Sequence, residues 1–465
     1  MPTRSVLVVG GGFSGVALTC ALLRLARYPL RITLVERCAD VGCGVAYGTQ
    51  QPSHLLNVPA GRMGVHAHDE AGFARHLAAQ GLAARPQDFV PRAWYGPYLR
   101  DALDAAARNA APGVTWCRHV GEAVACSGRA VNFRQGPALE ADAVVLATGH
   151  LSPHPPQPSQ PPHVTHAPHW TEPGLVPDPW QPGVMDAVAP DATVMLLGTG
   201  LTALDVLLQL RAAGHTGAVT MVSRRGLLPQ PHRSLEAPPP GGLVAPDALS
   251  GVSNARALLR GVRALVRDIQ AQGHDWRDAV AGLRPATTRL WQQLPERERR
   301  RFLRHLQPWW DTHRHRTAPQ AWAALCALLE SGQVHVLAAR VRSLHAAAGG
   351  GWQVAWQPRG GEQVDMATVD WVVNCTGPSS DARHTDDPLL SHLIRTGAAM
   401  PDPLGLGLWV GPDYRLAATT PGATNGLRYL GPLLKAGWWE AVAVPELRVH
   451  ADQLAHLLVD ELGVA

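Results

Sequence analysis

The chain has 465 residues, 46% of them hydrophobic and 17% charged, with a formal net charge of +4. That length allows two or three domains with sizeable cores, and so small a charge excess makes no case for a nucleic-acid-binding or membrane surface. No apolar stretch suits a membrane span, the N-terminus runs straight into a strand with no room for a signal peptide, and seven scattered cysteines fit a reducing compartment, so a cytoplasmic protein is expected.

Val6–Val9 predicts a short buried strand. Gly10, Gly12 and Gly15 follow in G-x-G-x-x-G spacing, with Phe13 and Ser14 between them, and an apolar helix runs over Val16–Leu25. The first glycine allows a tight turn, the second lets a pyrophosphate approach the backbone, and the third lets helix pack on strand. The helix N-terminus offers unpaired N–H groups and a partial positive charge. A second strand, Arg31–Val35, leads into Glu36 and Arg37, and Glu36 stands 21 residues after Gly15, where a carboxylate accepts from ribose hydroxyls. Strand, glycines, helix, strand and acid in this order predict a site for an adenine nucleotide with a free 2′-hydroxyl.

The glycine- and proline-rich loop over 42–64 marks irregular backbone that approaches something closely. If the first site holds FAD, this loop runs past the flavin, with Asn57 and Arg62 as polar contacts. Cys38 and Cys43 have the C-x4-C spacing of a redox disulfide, but they fall at the ribose end of the cofactor and are expected to be ordinary thiols. Arg92 precedes a helix over Tyr98–Arg108, strands are expected at 114–117, 122–126 and 130–133, and a buried closing strand ends in Thr148 and Gly149, assigned to the cofactor.

Residues 151–190 carry 12 prolines and predict an extended linker, in which His166-x-x-x-Trp170 stands out. The nucleotide pattern then returns: strand Thr193–Leu197, Gly198, Gly200 and Ala203 in G-x-G-x-x-A spacing, helix Leu204–Leu210, and strand Ala218–Val222 running into Ser223-Arg224-Arg225. Where the first half has a carboxylate, the second has a hydroxyl and two guanidiniums, which suit the 2′-phosphate of NADPH. A helix-rich block covers about 247–332, and its clearest helix repeats apolar residues from 255 to 269 behind Ser253 as cap. For His313–Arg316 three accounts stand: a cationic cap over NADPH or an anionic substrate, a metal site, or a solvated basic turn. No cysteine or carboxylate set completes the metal site, so no metal is expected.

Strands at 334–344 and 352–357 and a closing strand ending in Thr-Gly at 376–377 repeat the plan of the first half, with Gly377 and, later, Gly431 assigned to the cofactors. A last helix opens near Pro445, its N-terminus suited to the electron-rich edge of a reduced flavin. The expected fold is α/β: two Rossmann-like dinucleotide-binding domains, for FAD and NADPH, with a helical insertion in the second. The first spans 1–155 and 370–465, the linker 156–190, and the second 191–369.

The motif order resembles the two-dinucleotide-domain flavoproteins, and among them the flavin-containing and N-hydroxylating monooxygenases. More narrowly, Gly44–Tyr47, Leu56–Pro59, Ser223–Pro229, His313–Arg316, Asn374–Pro378 and Gly431–Arg448 resemble a bacterial FAD/NAD(P)-binding family that includes urate-hydroxylase-like members. The resemblance implies FAD, NADPH, O2 and a small substrate, either purine-like or an amine, hydroxylated through a flavin C4a-hydroperoxide. His166-x-x-x-Trp170 resembles only the tail of the Baeyer–Villiger fingerprint, whose leading Phe-x-Gly is absent. His166, Trp170, Arg62 and Arg92 are the candidate catalytic residues. An NADPH:acceptor oxidoreductase and a non-catalytic sensor of the NADPH state are the rival readings.

Overall fold

The computed structural model describes residues 3–156, 169–233, 242–420 and 426–464, so His166 lies outside the described residues. The first unit opens with β1 (Arg4–Val9), α1 (Phe13–Leu25) and β2 (Leu30–Glu36). It continues through α2 (Gly44–Tyr47), α3 (Gly72–Ala79), α4 (Tyr95–Arg108) and β3 (Val114–Val120) to β4 (Ala123–Ser127), β5 (Ala130–Phe133), β6 (Leu139–Glu140) and β7 (Ala143–Leu146). The second holds β8 (Leu175–Val176), β9 (Val194–Leu197), α5 (Leu201–Ala212) and β10 (Val219–Ser223). The helices α6 (Ala255–Ala271), α7 (Trp276–Gly282), α8 (Thr287–Gln293), α9 (Glu296–His305), α10 (Gln307–Arg314) and α11 (Pro319–Glu330) come next. They precede β11 (Val334–Ala346), β12 (Trp352–Pro358), β13 (Asp365–Val369) and β14 (Trp371–Asn374). α12 (Pro388–Arg395), β15 (Arg428–Tyr429) and α13 (Val444–Val464) complete the chain.

β1, β7, β9 and β14 are short apolar runs that bury almost every residue, the pattern of central strands covered on both faces. The first sheet has the order β15-β7-β1-β2-β3 and is parallel throughout, while β4–β6 form a separate three-stranded sheet. The second sheet has the order β13-β12-β11-β10-β9-β14-β8. Its parallel core β14-β9-β10-β11 repeats β7-β1-β2-β3 strand for strand. In each sheet the Gly-rich strand has the closing strand on one side and the ribose-side strand on the other. That is the switch point at which open α/β sheets bind ligands.

Three expectations change. The strand at 371–374 pairs with β9, so it belongs to the second sheet and not to a unit that resumes at 370. β8, inside the expected linker, pairs with β14 and is the edge of that same sheet. The cap of α6 is Asn254, whose side chain accepts from the Ala257 amide at 2.8 Å, not Ser253. Asn254 has the extended backbone, φ −138° and ψ 146°, that precedes the first turn.

The helical block has its own core, with Leu258, Ile269, Leu290, Trp291 and Phe302 closing over Leu406, Ala436 and Trp439 of the C-terminal segment. Trp291 Nε1 donates to the Ala436 carbonyl at 2.9 Å. The two sheet units are joined by a buried ion pair: Arg92 Nη2, in the first unit, meets Asp205 of α5 at 2.7 Å, and its Nε donates to the Leu55 carbonyl at 2.9 Å. Removing one partner of such a pair leaves a charge buried without compensation. Asp205→Ala should therefore lower the free energy of unfolding by ~3 kcal/mol. Joint replacement, Arg92→Met with Asp205→Leu, should recover most of that loss, as read by urea unfolding followed through tryptophan fluorescence.

Candidate active site

Gly10 has φ +115°, and a β-carbon there would lie 2.2 Å from the Ala147 carbonyl oxygen of the closing strand. One on Gly15 would lie 1.9 Å from the Gly10 oxygen. Gly12 differs: the nearest atom to its would-be β-carbon is the Gly44 Cα at 3.8 Å, so its backbone face is open. Gly12 is the N-cap of α1 with no side-chain cap and no acid in the first turn, which leaves the helix N–H groups unspent. Glu36 Oε2 accepts from the Gly11 amide at 2.8 Å and Oε1 from the Arg37 amide at 2.8 Å, so the expected ribose acid also braces the turn. Phe13 and Ser14 are buried, and Phe13 stacks on Tyr95 as part of the core.

The second turn repeats this geometry. Gly198 has φ +142°, and its β-carbon would lie 2.2 Å from the Cys375 carbonyl. Around Gly200, Gly149 and Gly377 there is open space. Ala203 is fully buried. Gly431 has φ +155°, and a β-carbon there would meet the Tyr429 hydroxyl at 2.8 Å. Ser223 Oγ is 2.8 Å from Thr199 Oγ1 and accepts from the Gly226 amide at 3.0 Å. Beyond it, Arg224, Arg225, Leu303, Arg304 and Arg359 line a cleft of about 330 Å³. A neighbouring cleft of about 410 Å³ adds Arg340, Gly360 and Gly361. Arg225 donates to the Arg304 carbonyl at 2.6 Å, while Arg224 and Arg359 face the cleft from two elements. Arg304 and Arg359 lie 80 and 135 residues beyond Arg224, and no motif spacing marks them.

At the junction of both units and the helical block lies a layer of charge. Arg314 (α10) pairs with Glu440 at 2.8 Å, Arg284 with Glu446, Arg448 with Glu70, Arg233 with Asp278, and Arg277 with Asp275 at 3.1 Å. The solvated-turn account of His313–Arg316 therefore falls. Arg314 is enclosed, His313 Nδ1 lies 2.8 Å from the Trp309 carbonyl, and burial pushes the His315 imidazole down to about 4. Among the described residues no three His, Cys, Asp or Glu side chains group as metal ligands. His150, just after Gly149, is open to solvent by area, yet burial followed by the Lys435 charge pushes it down to about 4. Lys435 caps the Trp439 ring at 4.7 Å.

The catalytic candidates fare unevenly. Arg92 pairs with Asp205, and Trp170, half-buried, packs against the core of the second sheet. Arg62 is exposed at the edge of the charged layer, 3.9 Å from Glu70. The Asn57 carbonyl lies 3.0 Å from His232 Nε2, which ties the loop over 55–59 to the second unit. Cys38 and Cys43 are free thiols. No helix of the described residues is long and apolar enough to cross a membrane.

Residues 7–151 match the FAD-NAD(P)-binding family. An L-aspartate N-monooxygenase (nitrosuccinate-forming) from Streptomyces davaonensis is 30% identical over 272 residues, 48% of this chain and 41% of that protein. The match thus spans about two-fifths of the length of that relative. The ornithine N-hydroxylase of Kutzneria sp. 744, with reduced FAD, NADP+ and L-ornithine, superposes with TM-score 0.65 at 17% identity, covering 99% of this chain and 100% of that one. The FAD-bound cadaverine monooxygenase of Erwinia amylovora gives 0.61 at 13%, covering 100% and 95%. The chain thus has the two-dinucleotide-domain flavoprotein fold, and its N-terminal unit is an FAD/NAD(P)-binding domain. These proteins are named for amines and amino acids and none for a purine, so the urate-like expectation has lost its support.

Burial lowers the imidazoles of His54, His315 and His450 to about 4 and that of His232 to about 3, against an ordinary 6.5. The unfolded chain binds these protons below 6.5 and the folded chain does not, so stability is full above that pH and is lost as pH falls toward 4. Urea midpoints at about pH 7.5, 6 and 5 should decrease in that order, and His450→Gln should flatten the trend.

Proposed function

We propose that the chain is an NADPH-using flavin monooxygenase that hydroxylates the amine nitrogen of a small amino acid or amine. The overall change is R–NH2 + O2 + NADPH + H+ → R–NHOH + NADP+ + H2O. The observation that carries this is the pair of equivalent glycine turns flanking one charged junction, and the N-hydroxylating relatives support it.

FAD, when bound, supplies hydride uptake from NADPH and activation of O2. Gly10, Gly12, Gly15 and the N-terminus of α1 suit its diphosphate, with Glu36 toward the ribose; the open face of Gly12 and the unspent N–H groups fit that group. Gly149 and Gly377 leave room beside the closing strands. Gly198, Gly200 and α5 suit the NADPH diphosphate, and Arg224 with Arg359 its 2′-phosphate, with Ser223 fixing the turn. The helical block shields the junction from bulk water through the Trp291–Trp439–Phe302 contacts, which are apolar and close.

Full-length protein loaded with FAD should consume NADPH in air and yield a hydroxylamine, detected by mass, from at least one amine or amino acid. NADPH oxidation that yields only reduced acceptor across such a panel would overturn the assignment in favour of a reductase. Arg224→Ala should raise KM for NADPH roughly 10- to 100-fold, the equivalent of about 1.5–3 kcal/mol for a charge-assisted contact, and leave KM for NADH little changed.

A further inference from the structure

Helix α9 reaches both halves of the chain. Its Leu303 and Arg304 line the Arg224 cleft, and Arg225 Nη2 donates to the Arg304 carbonyl at 2.6 Å. Phe302 stands two residues before Arg304 and so about 200° away around the helix. Its buried ring lies edge-on to Trp439 at 5.3 Å, in the segment that follows β15 of the first sheet. Arg299, also on α9, donates to the Trp291 and Gln292 carbonyls at 3.2 Å each. Those two side chains donate onward to the Ala436 and Gly437 carbonyls at 2.9 and 3.0 Å. A continuous set of contacts therefore runs from the cleft to residues 436–439.

At the cleft end, three elements bring guanidiniums together: Arg224 from the turn after β10, Arg359 from the β12–β13 hairpin and Arg304 from α9. Among the described residues no acid lines this cleft or the neighbouring one that holds Arg340, and none of these four arginines has an ion-pair partner. Guanidiniums gathered without an anion repel one another. The last turn of α9 carries a partial negative charge that would oppose an anion on its own. The Arg225 guanidinium on the Arg304 carbonyl offsets it, and His305 stands in the same turn. Arg225 thus tethers the helix end to the nucleotide turn.

We infer that α9 is the third wall of the 2′-phosphate site: Arg304 binds the phosphate together with Arg224 and Arg359, and a 2′-phosphorylated nucleotide thereby fastens the helical block onto residues 436–439. This rests on the assignment of the Arg224 cleft to the 2′-phosphate of NADPH. A phosphate dianion relieves the repulsion among the three guanidiniums and accepts charge-assisted hydrogen bonds from each. A nucleotide without that phosphate makes none of these contacts and has no differential interaction with which to hold α9. The helical block then distinguishes NADPH from NADH and passes the distinction to the first unit.

The test uses FAD-loaded protein with 2′,5′-ADP and 5′-AMP as probes, which differ in the 2′-phosphate and lack the nicotinamide. Affinities are read by calorimetry, and opening of the backbone by hydrogen exchange. 2′,5′-ADP should bind at least about tenfold more tightly than 5′-AMP and slow exchange over both 299–306 and 432–439, and saturating 5′-AMP should slow neither. Arg304→Gln, at an exposed position, should weaken 2′,5′-ADP about tenfold, leave 5′-AMP unchanged and abolish the slowing at 432–439. Arg304→Lys should restore part of the affinity, and Arg263→Gln, exposed on α6, should change nothing. Wild-type affinity for 2′,5′-ADP in Arg304→Gln overturns the inference while leaving the Arg224 assignment intact. Slowing that never reaches 432–439 in the unaltered protein overturns it too. Equal binding of the two probes to the unaltered protein sinks the 2′-phosphate assignment itself, and the inference with it.

Discussion

At each nucleotide turn a carbonyl oxygen of the closing strand occupies the place a β-carbon would take, Ala147 against Gly10 and Cys375 against Gly198, both at 2.2 Å. This backbone crowding is the constraint on which the architecture rests. It draws the closing strand tight against the Gly-rich strand, which aims the following helix N-terminus over the strand ends. Gly15 and Ala203 then let that helix sit down on the sheet. Because the same crowding recurs in both halves, the two ligand-facing crevices are built alike, and only the residue at the end of the next strand tells them apart: Glu36 in one, Ser223 and Arg224 in the other.

Much of this was legible because it is local. Strand, turn and helix follow one another within about forty residues, and period and glycine spacing carry the message. The order β14-β9-β10-β11 was foreshadowed by the Thr-Gly ending of both closing strands. The domain boundary was not, since the closing strand of the second unit arrives only after the helical block and two long strands, where the sequence has already begun to resemble a return to the first unit. Ser253 and Asn254 are both good capping residues, and only backbone geometry chooses between them.

The site itself was half visible. The glycine turns and the Ser223-Arg224-Arg225 corner could be read from spacing. Arg359 could not, since it joins the cleft from the β12–β13 hairpin at the edge of the same sheet. His313–Arg316 could be noticed but not interpreted, because the partners that bury it, Glu440 and Glu446, lie more than a hundred residues away. His150 and Lys435 carry no motif at all. Their proximity is a property of the folded chain. Arg92 could be noticed as a lone basic residue, but its ion pair with Asp205, 113 residues on, could not.

The Arg92–Asp205 pair has a consequence for how the halves depend on each other. Asp205 sits in the second turn of α5, beneath the N-terminus that faces the second nucleotide turn. An ionised carboxylate there would repel the phosphates that the helix end attracts. The guanidinium that cancels it comes from the other half of the chain. The later nucleotide unit is therefore not a self-sufficient module: excised, or grafted beside a foreign first half, it would carry a bare negative charge under its own ligand.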